Sequence, residues 1–507
     1  MTFMNESSSL WHTTTPVISY PQLDRGLHVD VAVVGGGITG LTAALILKRA
    51  GKKVAVLEAR RVGGENSMHT TAHLTEAIDA RYATLEKDFG AEAAKAAALS
   101  SRAAVARIGA FVRELGIACD HRIVPGLLYS EREEDLHALH EEYEAAARAG
   151  IPVRMIREVP LPFPCAAAIC FPDQAQLHAG HYLMALARAI PGDGCHVFEG
   201  AQVRDIEEGE PCRLVVANGK DELTPVQPLT ADRVIVAASA PPTRLAMQTK
   251  LAHYRTYAIA IRDPGNIPGV LLWDTDQPYH YIRLAEASGS RYAIIGGEDH
   301  KTGQNDDAEA CWTRLETYAR QRFGAAEVTH RWSGQILEPL DGLPYIGRLP
   351  GKEKISIGIG YSGNGMTFGT LAGMLLADEA APHAGAYLEL YSPSRIKPLA
   401  SAKPFFKENI DFPAHFVGDR LRHAHTLDEV AAGEGKIVLM GTEKVAVYRD
   451  ELGAVHALSP VCSHLGCHVT FNNAERSWDC PCHGSRFDTS GKVLHGPATR
   501  PLTRRPI

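Results

Sequence analysis

The sequence predicts two unlike parts: an α/β portion with an inserted α+β region, then an all-β C-terminal domain. Three observations carry this. Between about Asp30 and Ala380, apolar strand-like runs alternate with helical ones. One of those runs feeds a glycine-rich turn. Beyond about His423 the runs become short and alternating, split by turns bearing Gly, Asp and Asn, and paired Cys and His residues appear.

The chain of 507 residues has room for two or three domains. Its 45% hydrophobic and 22% charged content is ordinary for a globular protein. A net charge of −7 gives no basic face for nucleic acid. The longest apolar stretch, Val29 to Leu47, is broken by Gly35, Gly36, Gly37 and Gly40, so it reads as strand, turn and helix and no membrane span is expected. Met1 to Pro16 is polar, with neither a signal-peptide pattern nor twin arginines. Six cysteines between Cys119 and Cys311 lack paired spacing, which suits reduced thiols and a cytoplasmic location.

In the first portion the expected strands include Val31–Val34, Val54–Leu57, Val234–Ala237 and Ile355–Gly360, and the expected helices Leu41–Ala50 and 91–115. Val31 to Gly40 is a strand, a glycine turn and a helix start. Gly35, Gly37 and Gly40 let backbone N–H groups approach a pyrophosphate, and the helix N-terminus favours its charge. A second strand ends at Glu58, placed for ribose hydroxyls. Together these read as a Rossmann-like nucleotide site; the bland alternative is a tight turn packing a helix on a sheet. Downstream, Ser362-Gly-Asn-Gly-Met-Thr367 follows an apolar strand and precedes a helix over 368–376. A second helix N-terminus there would stabilise negative charge on a reduced flavin, which favours FAD over NAD.

These residues, with 232–240 and Pro339–Gly347, resemble the family of glycine, sarcosine and D-amino-acid oxidases and their dehydrogenase relatives. The resemblance spans Asp30 to about Ala380. It implies an FAD-binding Rossmann-like domain (about 29–85, 195–250 and 335–385) with an inserted α+β substrate domain (about 86–194 and 251–334). It also implies FAD contacts at Gly35, Gly37, Gly40, Glu58, His69, Thr70, Val203, Ser362, Gly363, Gly365, Met366 and Thr367. The family pattern sets Gly63–Thr75 against the flavin ring. His69 and His73 would share a face if helical, but no third metal ligand accompanies them. In dimethylglycine- and sarcosine-dehydrogenase-like proteins a histidine at the place of His69 is bonded to the flavin; the other reading is polar packing around the cofactor.

On the substrate side, the family anchors an amine-bearing carboxylate with tyrosine and arginine. The matching stretch is Trp273–Arg283, where alternation would put Tyr279, Tyr281 and Arg283 on one strand face. A plain aromatic strand with a solvated arginine is the alternative. His300, after the strand 292–297, is a candidate base or a turn residue. Pro172–His178 occupies a stretch that often reaches the pocket in this family. Sarcosine-oxidase-like enzymes carry a lysine on the strand equivalent to 292–297 that helps oxygen react. Here the position is apolar, near Ile294, so a dehydrogenase is expected instead of an oxidase.

The C-terminal part holds Cys462-Ser-His464-Leu-Gly-Cys467 and Cys480-Pro-Cys482-His483-Gly-Ser485. This spacing reads as a Rieske [2Fe–2S] centre, with Cys462 and Cys480 on one iron and His464 and His483 on the other. Zinc or structural thiols are the alternatives. The region from about His423 to Leu502 resembles the Rieske proteins of respiratory and photosynthetic cytochrome complexes. That resemblance implies a disulfide between Cys467 and Cys482, and a serine, here Ser485, bonded to a bridging sulfide. The usual tyrosine two residues later is Phe487, so one donor is missing and a lower potential is expected.

The expected organisation is an extension (1–28), an FAD-dependent oxidoreductase module (29–391), a linker (392–422) and a Rieske domain (423–507). The expected activity is dehydrogenation of a C–N bond in a small-molecule amine or amino acid, with electrons passing from flavin to cluster to an external partner protein. Two rivals stand beside it: a reductase or monooxygenase component fed from the cluster, and a non-catalytic redox carrier or sensor.

Overall fold

The computed structural model describes residues 8–218, 229–239, 247–265, 267–324, 327–378, 385–397 and 424–506. Most of the expected linker, from residue 398 to 422, lies outside them.

Parallel strands buried on both faces read as continuous apolar runs, and that is how the first sheet is written. Its main path runs Tyr345–Arg348, Ile355–Ile359, Leu229–Val236, Leu27–Val34, Val54–Leu57 and His196–Phe198. Leu27–Val34 is parallel to both neighbours, with Val34 opposite Val236 on one side and Leu57 on the other. The helices Ile38–Arg49 and Gly365–Asp378 are apolar nearly all round because both are buried. Their close approach needs glycine: a Cβ at Gly373 would stand 2.6 Å from Thr42 Cβ.

The second sheet runs Glu327–Pro339, Leu251–Arg262, Ser290–Lys301, His280–Ala287, Leu271–Asp274, Arg122–Ser130, Ala167–Gln176 and His73–Leu74. The helix Glu309–Phe323 packs on one face through Cys311, Trp312 and Leu315, against Tyr257, Ile259 and Ile295. The alternate residues Ala258, Ala260 and Ile294 join the main core on the other face.

The C-terminal part is all-β, with a sheet of Gly435–Met440, Glu443–Arg449 and Val455–Leu458, and a second of Thr470–Asn472, Ser477–Asp479, Arg486–Asp488 and Val493–His495. Trp478 and Phe487 pair across the second sheet and pack with the cysteines in its core. This domain is docked on the N-terminal module. Thr470 Oγ1 donates to Gly303 O at 2.8 Å, Arg60 Nη2 to Val493 O at 2.7 Å, and Arg204 Nη1 to Thr499 O at 2.7 Å.

The described part of the expected N-terminal extension is built into the module. Ser9 caps the short helix Leu10–Thr14, Leu10 and Trp11 are fully buried, and Trp11 Nε1 donates to Thr70 O at 2.6 Å. Among the described residues no helix is long and apolar enough to cross a membrane.

Candidate functional site

The turn after Leu27–Val34 admits only glycine at two points. Gly35 has φ +112°, and a Cβ there would stand 2.5 Å from Ala237 O. A Cβ on Gly40 would collide with Gly35 O. Gly36 N and Arg60 N each donate at 2.8 Å to the Glu58 carboxylate. Burial raises the Glu58 carboxyl, against those two hydrogen bonds. Gly35, Gly37 and Glu58 line a cavity of about 1080 Å³, along with His69, Thr70 and Val203.

The second glycine loop reaches the same cavity through Ser362, Gly363, Gly365 and Met366. Gly363 N donates to Asp79 Oδ2 at 2.5 Å, and Asn364 Nδ2 to Ala77 O at 2.9 Å, so loop and helix start are pinned to residues 77–79. Two expected contacts fall elsewhere. Thr367 is buried and bonded to Thr75, whose N donates to its Oγ1 at 3.2 Å. Gly40 is a helix-packing glycine that does not line the cavity. His69 lies on the wall, its pKa lowered to about 3 by burial and then by His12. The helical pairing of His69 with His73 is not found: a 3-10 turn ends at Met68, Ala72 has φ +57°, and His73 starts a strand.

On the substrate side, Tyr279, Tyr281, Thr256, His73 and Asp79 face the cavity. Thr256 Oγ1 and Tyr281 OH are 2.6 Å apart. Arg283 departs from the carboxylate-anchor expectation. Its Nε donates to Thr71 O and its Nη2 to Leu177 O (2.9 Å), its guanidinium lies 5.2 Å from the Trp11 ring, and it is 1% exposed. Two carbonyls and an indole ring hold its guanidinium away from the cavity lining, so it braces the chain behind His73. His300 also departs: its Nε2 is 3.0 Å from Tyr257 OH, on the face covered by Glu309–Phe323. Sheet alternation breaks just before it, at Gly297 (φ +146°) and Glu298 (φ +59°), and Asp299 lies behind the lining residues Thr256 and Tyr279. Thr256 and Tyr279 face the Asp299 carboxylate. Burial raises it to about 7, with Thr256 opposing and Asp79 adding to the rise. Burial likewise raises Asp79. Both carboxylates were missed as site residues in the sequence. Ile294 is fully buried, and the strand Ser290–Lys301 has its one lysine at its far end, Lys301.

The cysteine–histidine loops form a second centre. Cys462 N donates to Cys467 O and Cys480 N to Ser485 O, each at 2.8 Å, so each loop folds on its own backbone. Cys462 and Cys480 are buried at 3% and 1% exposure; His464 and His483 are half-buried, with ring centroids 5.0 Å apart. His464 Nδ1 is buried with no hydrogen-bond partner, as an imidazole aimed at a metal would be. Cys467 and Cys482 are joined as a disulfide. Ser485 is fully buried, its Oγ accepting from Ala498 N at 3.0 Å. Two thiols, two imidazoles and that orphaned ring nitrogen suit a Rieske cluster. The glycine turn and the buried Glu58 likewise suit a dinucleotide.

The family model for FAD dependent oxidoreductases matches residues 30–379, and that for the Rieske [2Fe-2S] domain matches 422–506. The putative Rieske 2Fe-2S iron-sulfur protein YhfW of Bacillus subtilis (strain 168) is 31% identical over 497 residues, 97% of this chain and 96% of that protein. Gamma-glutamylputrescine oxidoreductase of Escherichia coli (strain K12) is 26% identical, covering 71% of this chain and 85% of its own length. Among solved structures, glycine oxidase from Geobacillus kaustophilus superposes with a TM-score of 0.62 at 22% identity, over 73% of this chain and all of that one.

Proposed function

The chain belongs to the FAD-dependent oxidoreductase family and carries a Rieske [2Fe-2S] domain behind it, and from that premise we propose that it dehydrogenates a C–N bond of an amine or amino acid and sends the electrons through the cluster to an external acceptor. The observation that carries this reading is the shared cavity. Val493, Leu494, His495 and Thr499 of the Rieske domain line the same space as the glycine turn and the tyrosines. A tethered but unrelated domain has no reason to complete the wall of a nucleotide site.

FAD, when bound, supplies a two-electron acceptor at the substrate, and the cluster a one-electron site. The residues do the rest. Gly35–Gly37 and the start of Ile38–Arg49 would hold the pyrophosphate, and Glu58 the ribose. The N-terminus of Gly365–Asp378 would face negative charge on the ring. Cys462, Cys480, His464 and His483 would hold the two irons. Asp79 suits an ammonium better than a carboxylate. Asp299, through Tyr279 or Thr256, is placed to hold the proton that the substrate nitrogen must shed before oxidation. The apolar Ile294 supports a dehydrogenase. The relatives act, by their names, on gamma-glutamylputrescine and glycine, which fits an amine or amino-acid substrate here.

Anaerobic mixing of the holoprotein with a panel of secondary amines and amino acids tests the reading. Bleaching of the flavin absorbance, followed by the electron paramagnetic resonance signal of the reduced cluster, is the expected result. Bleaching only with an added reductase would reverse the direction of flow.

A further inference from the structure

We propose that His253 is the bridge by which electrons cross between the FAD site and the cluster, joining the cavity wall at Gln335 to the ligand loop at His483–Gly484. This rests on the reading above, that both cofactors serve one reaction.

His253 lies near the start of the strand Leu251–Arg262 and faces both ligand histidines, His464 and His483. Its contact with the ligand loop is close. A Cβ added to Gly484 would stand 2.6 Å from His253 Nδ1 and 2.7 Å from its Cβ and Cγ. Only glycine lets the loop settle on the ring, and its φ of +66° suits glycine too. From the cavity wall, Gln335 Nε2 lies 3.5 Å from the same Nδ1 and 3.1 Å from Thr302 Oγ1. Gln335 lines the FAD cavity, and its backbone N donates to Asn66 Oδ1, another lining residue. One imidazole therefore lies between the cluster loop and the cavity wall, and both meet it at Nδ1.

The surroundings hold this register. Thr302 N donates to His253 O at 3.0 Å, fixing the strand beneath the ring. Next to it, Gly303 presses on the other end of the ligand loop, where a Cβ would meet Pro481 N at 2.7 Å. Gln304 Nε2 reaches Pro481 O at 3.5 Å. The cluster is also presented the right way round. Its cysteines sit in the domain core and its histidines form the outward pole, which is the pole docked against His253. Contiguous packing and polar contact, with no room for solvent at Gly484, give electrons a route that does not need domain movement.

The balance is simple. Oxidising one amine to an imine releases two electrons and two protons. FAD takes both electrons and one proton as hydride, and the other proton leaves from the substrate nitrogen. The two electrons would then cross singly, the flavin releasing to solvent the proton it took, and a one-electron carrier protein would collect each electron from the cluster before the next crosses. His253 gains and loses nothing in the crossing.

The test needs no substrate. The flavin of the anaerobic holoprotein is reduced by light with ethylenediaminetetraacetate as donor. Flavin absorbance and the resonance signal of the reduced cluster are followed together. In the unaltered protein the cluster signal should follow flavin bleaching closely. In His253→Leu the lag should lengthen about ten- to a hundredfold, while the shape of the cluster signal shows that the irons stay bound. Gln335→Leu, on the cavity side of the bridge, should lengthen it as well and decides the matter if His253→Leu fails to load its cluster. An unaltered lag in the loaded variants would overturn the bridge and leave the two-cofactor reading standing. No transfer in the unaltered protein would overturn both.

Discussion

Arg255 and Glu475 meet across the two modules as a buried ion pair, with Nη2 2.5 Å from Oε2 and side chains only 3% and 11% exposed. Arg486 of the Rieske domain joins the same carboxylate at 2.9 Å and also holds Asp479 at 3.0 Å. The network stands beside the His253 contact and clamps the docked domain. Two guanidiniums around one carboxylate make Glu475 the member whose loss matters most. Breaking a buried pair from one side leaves charge without compensation, at about 3–5 kcal/mol. Glu475→Ala should therefore loosen the docking by that order. Chemical denaturation should then show separate transitions for the two modules where the unaltered protein shows one.

The same carboxylate sets an acid limit. Burial alone would raise its pKa, but Arg255 and Arg486 outweigh burial and bring it to about 2. An unfolded glutamate titrates near ~4.3. Because the folded value is depressed, the stabilisation is full above the unfolded pKa and disappears as pH falls through the folded one. Docking should hold at pH 5 and weaken progressively toward pH 2, as read by limited proteolysis of the interface. Glu475→Gln should remove this acid step.

Asp299 predicts a second, separate pH effect, on chemistry. Its carboxyl sits at about 7, raised chiefly by burial. If it takes the proton of the substrate ammonium, only the carboxylate form works. The rate of anaerobic flavin bleaching by a productive amine should climb as pH rises through about 7 and level off above it. Asp299→Asn should be slow throughout and lose that inflection. The same inflection in the variant would remove Asp299 from the reaction.

Arg283 carries a negative prediction. It is buried, its Nε and Nη2 donate to Thr71 O and Leu177 O, and it does not line the cavity, so removing it should damage the fold and leave carboxylate recognition alone. Arg283→Leu should lower stability by about 2–3 kcal/mol, the scale of charged hydrogen bonds lost in the interior. The material that remains folded should keep the KM of the unaltered protein. A large rise in KM for amino acids, with stability unchanged, would restore Arg283 as an anchor.

What could be read from the sequence divides along local and distant causes. The glycine turn, Glu58 and the Cys–His loops were legible because each is fixed by neighbours a few residues away: Gly35 by its own φ, Cys462 by Cys467, Cys480 by Ser485. The strand Val54–Leu57 was legible because its apolar run is buried throughout. Arg283 was not, since the carbonyls that occupy it come from 212 and 106 residues away. Asp299 was hidden by Gly297 and Glu298, two positive-φ residues that turn the chain just before it. Arg255 and Glu475 carry no local signal, because each is paired with the other across 220 residues. The polar stretch before Pro16 gave no hint that Trp11 would be sealed under Arg283.

Phe487 offers a test of the cluster itself. Its ring is fully buried in the Rieske core beside Cys462, Cys467 and Cys480, and across the sheet from Trp478. The neighbouring Ser485 hydroxyl is also buried in that core, its Oγ accepting from Ala498 N. A tyrosine at 487 would add a donor among groups that carry negative charge when the cluster is loaded, and more of it when the cluster is reduced. A hydrogen bond strengthened on reduction raises the midpoint potential. One net hydrogen bond contributes about 1 kcal/mol, and ~59 mV is tenfold for a one-electron couple, so Phe487→Tyr should raise the midpoint by about 40 mV. Redox titration followed by electron paramagnetic resonance measures it directly. An unchanged or lower midpoint would mean that the hydroxyl finds its partner elsewhere, and that the phenylalanine is not what lowers the potential.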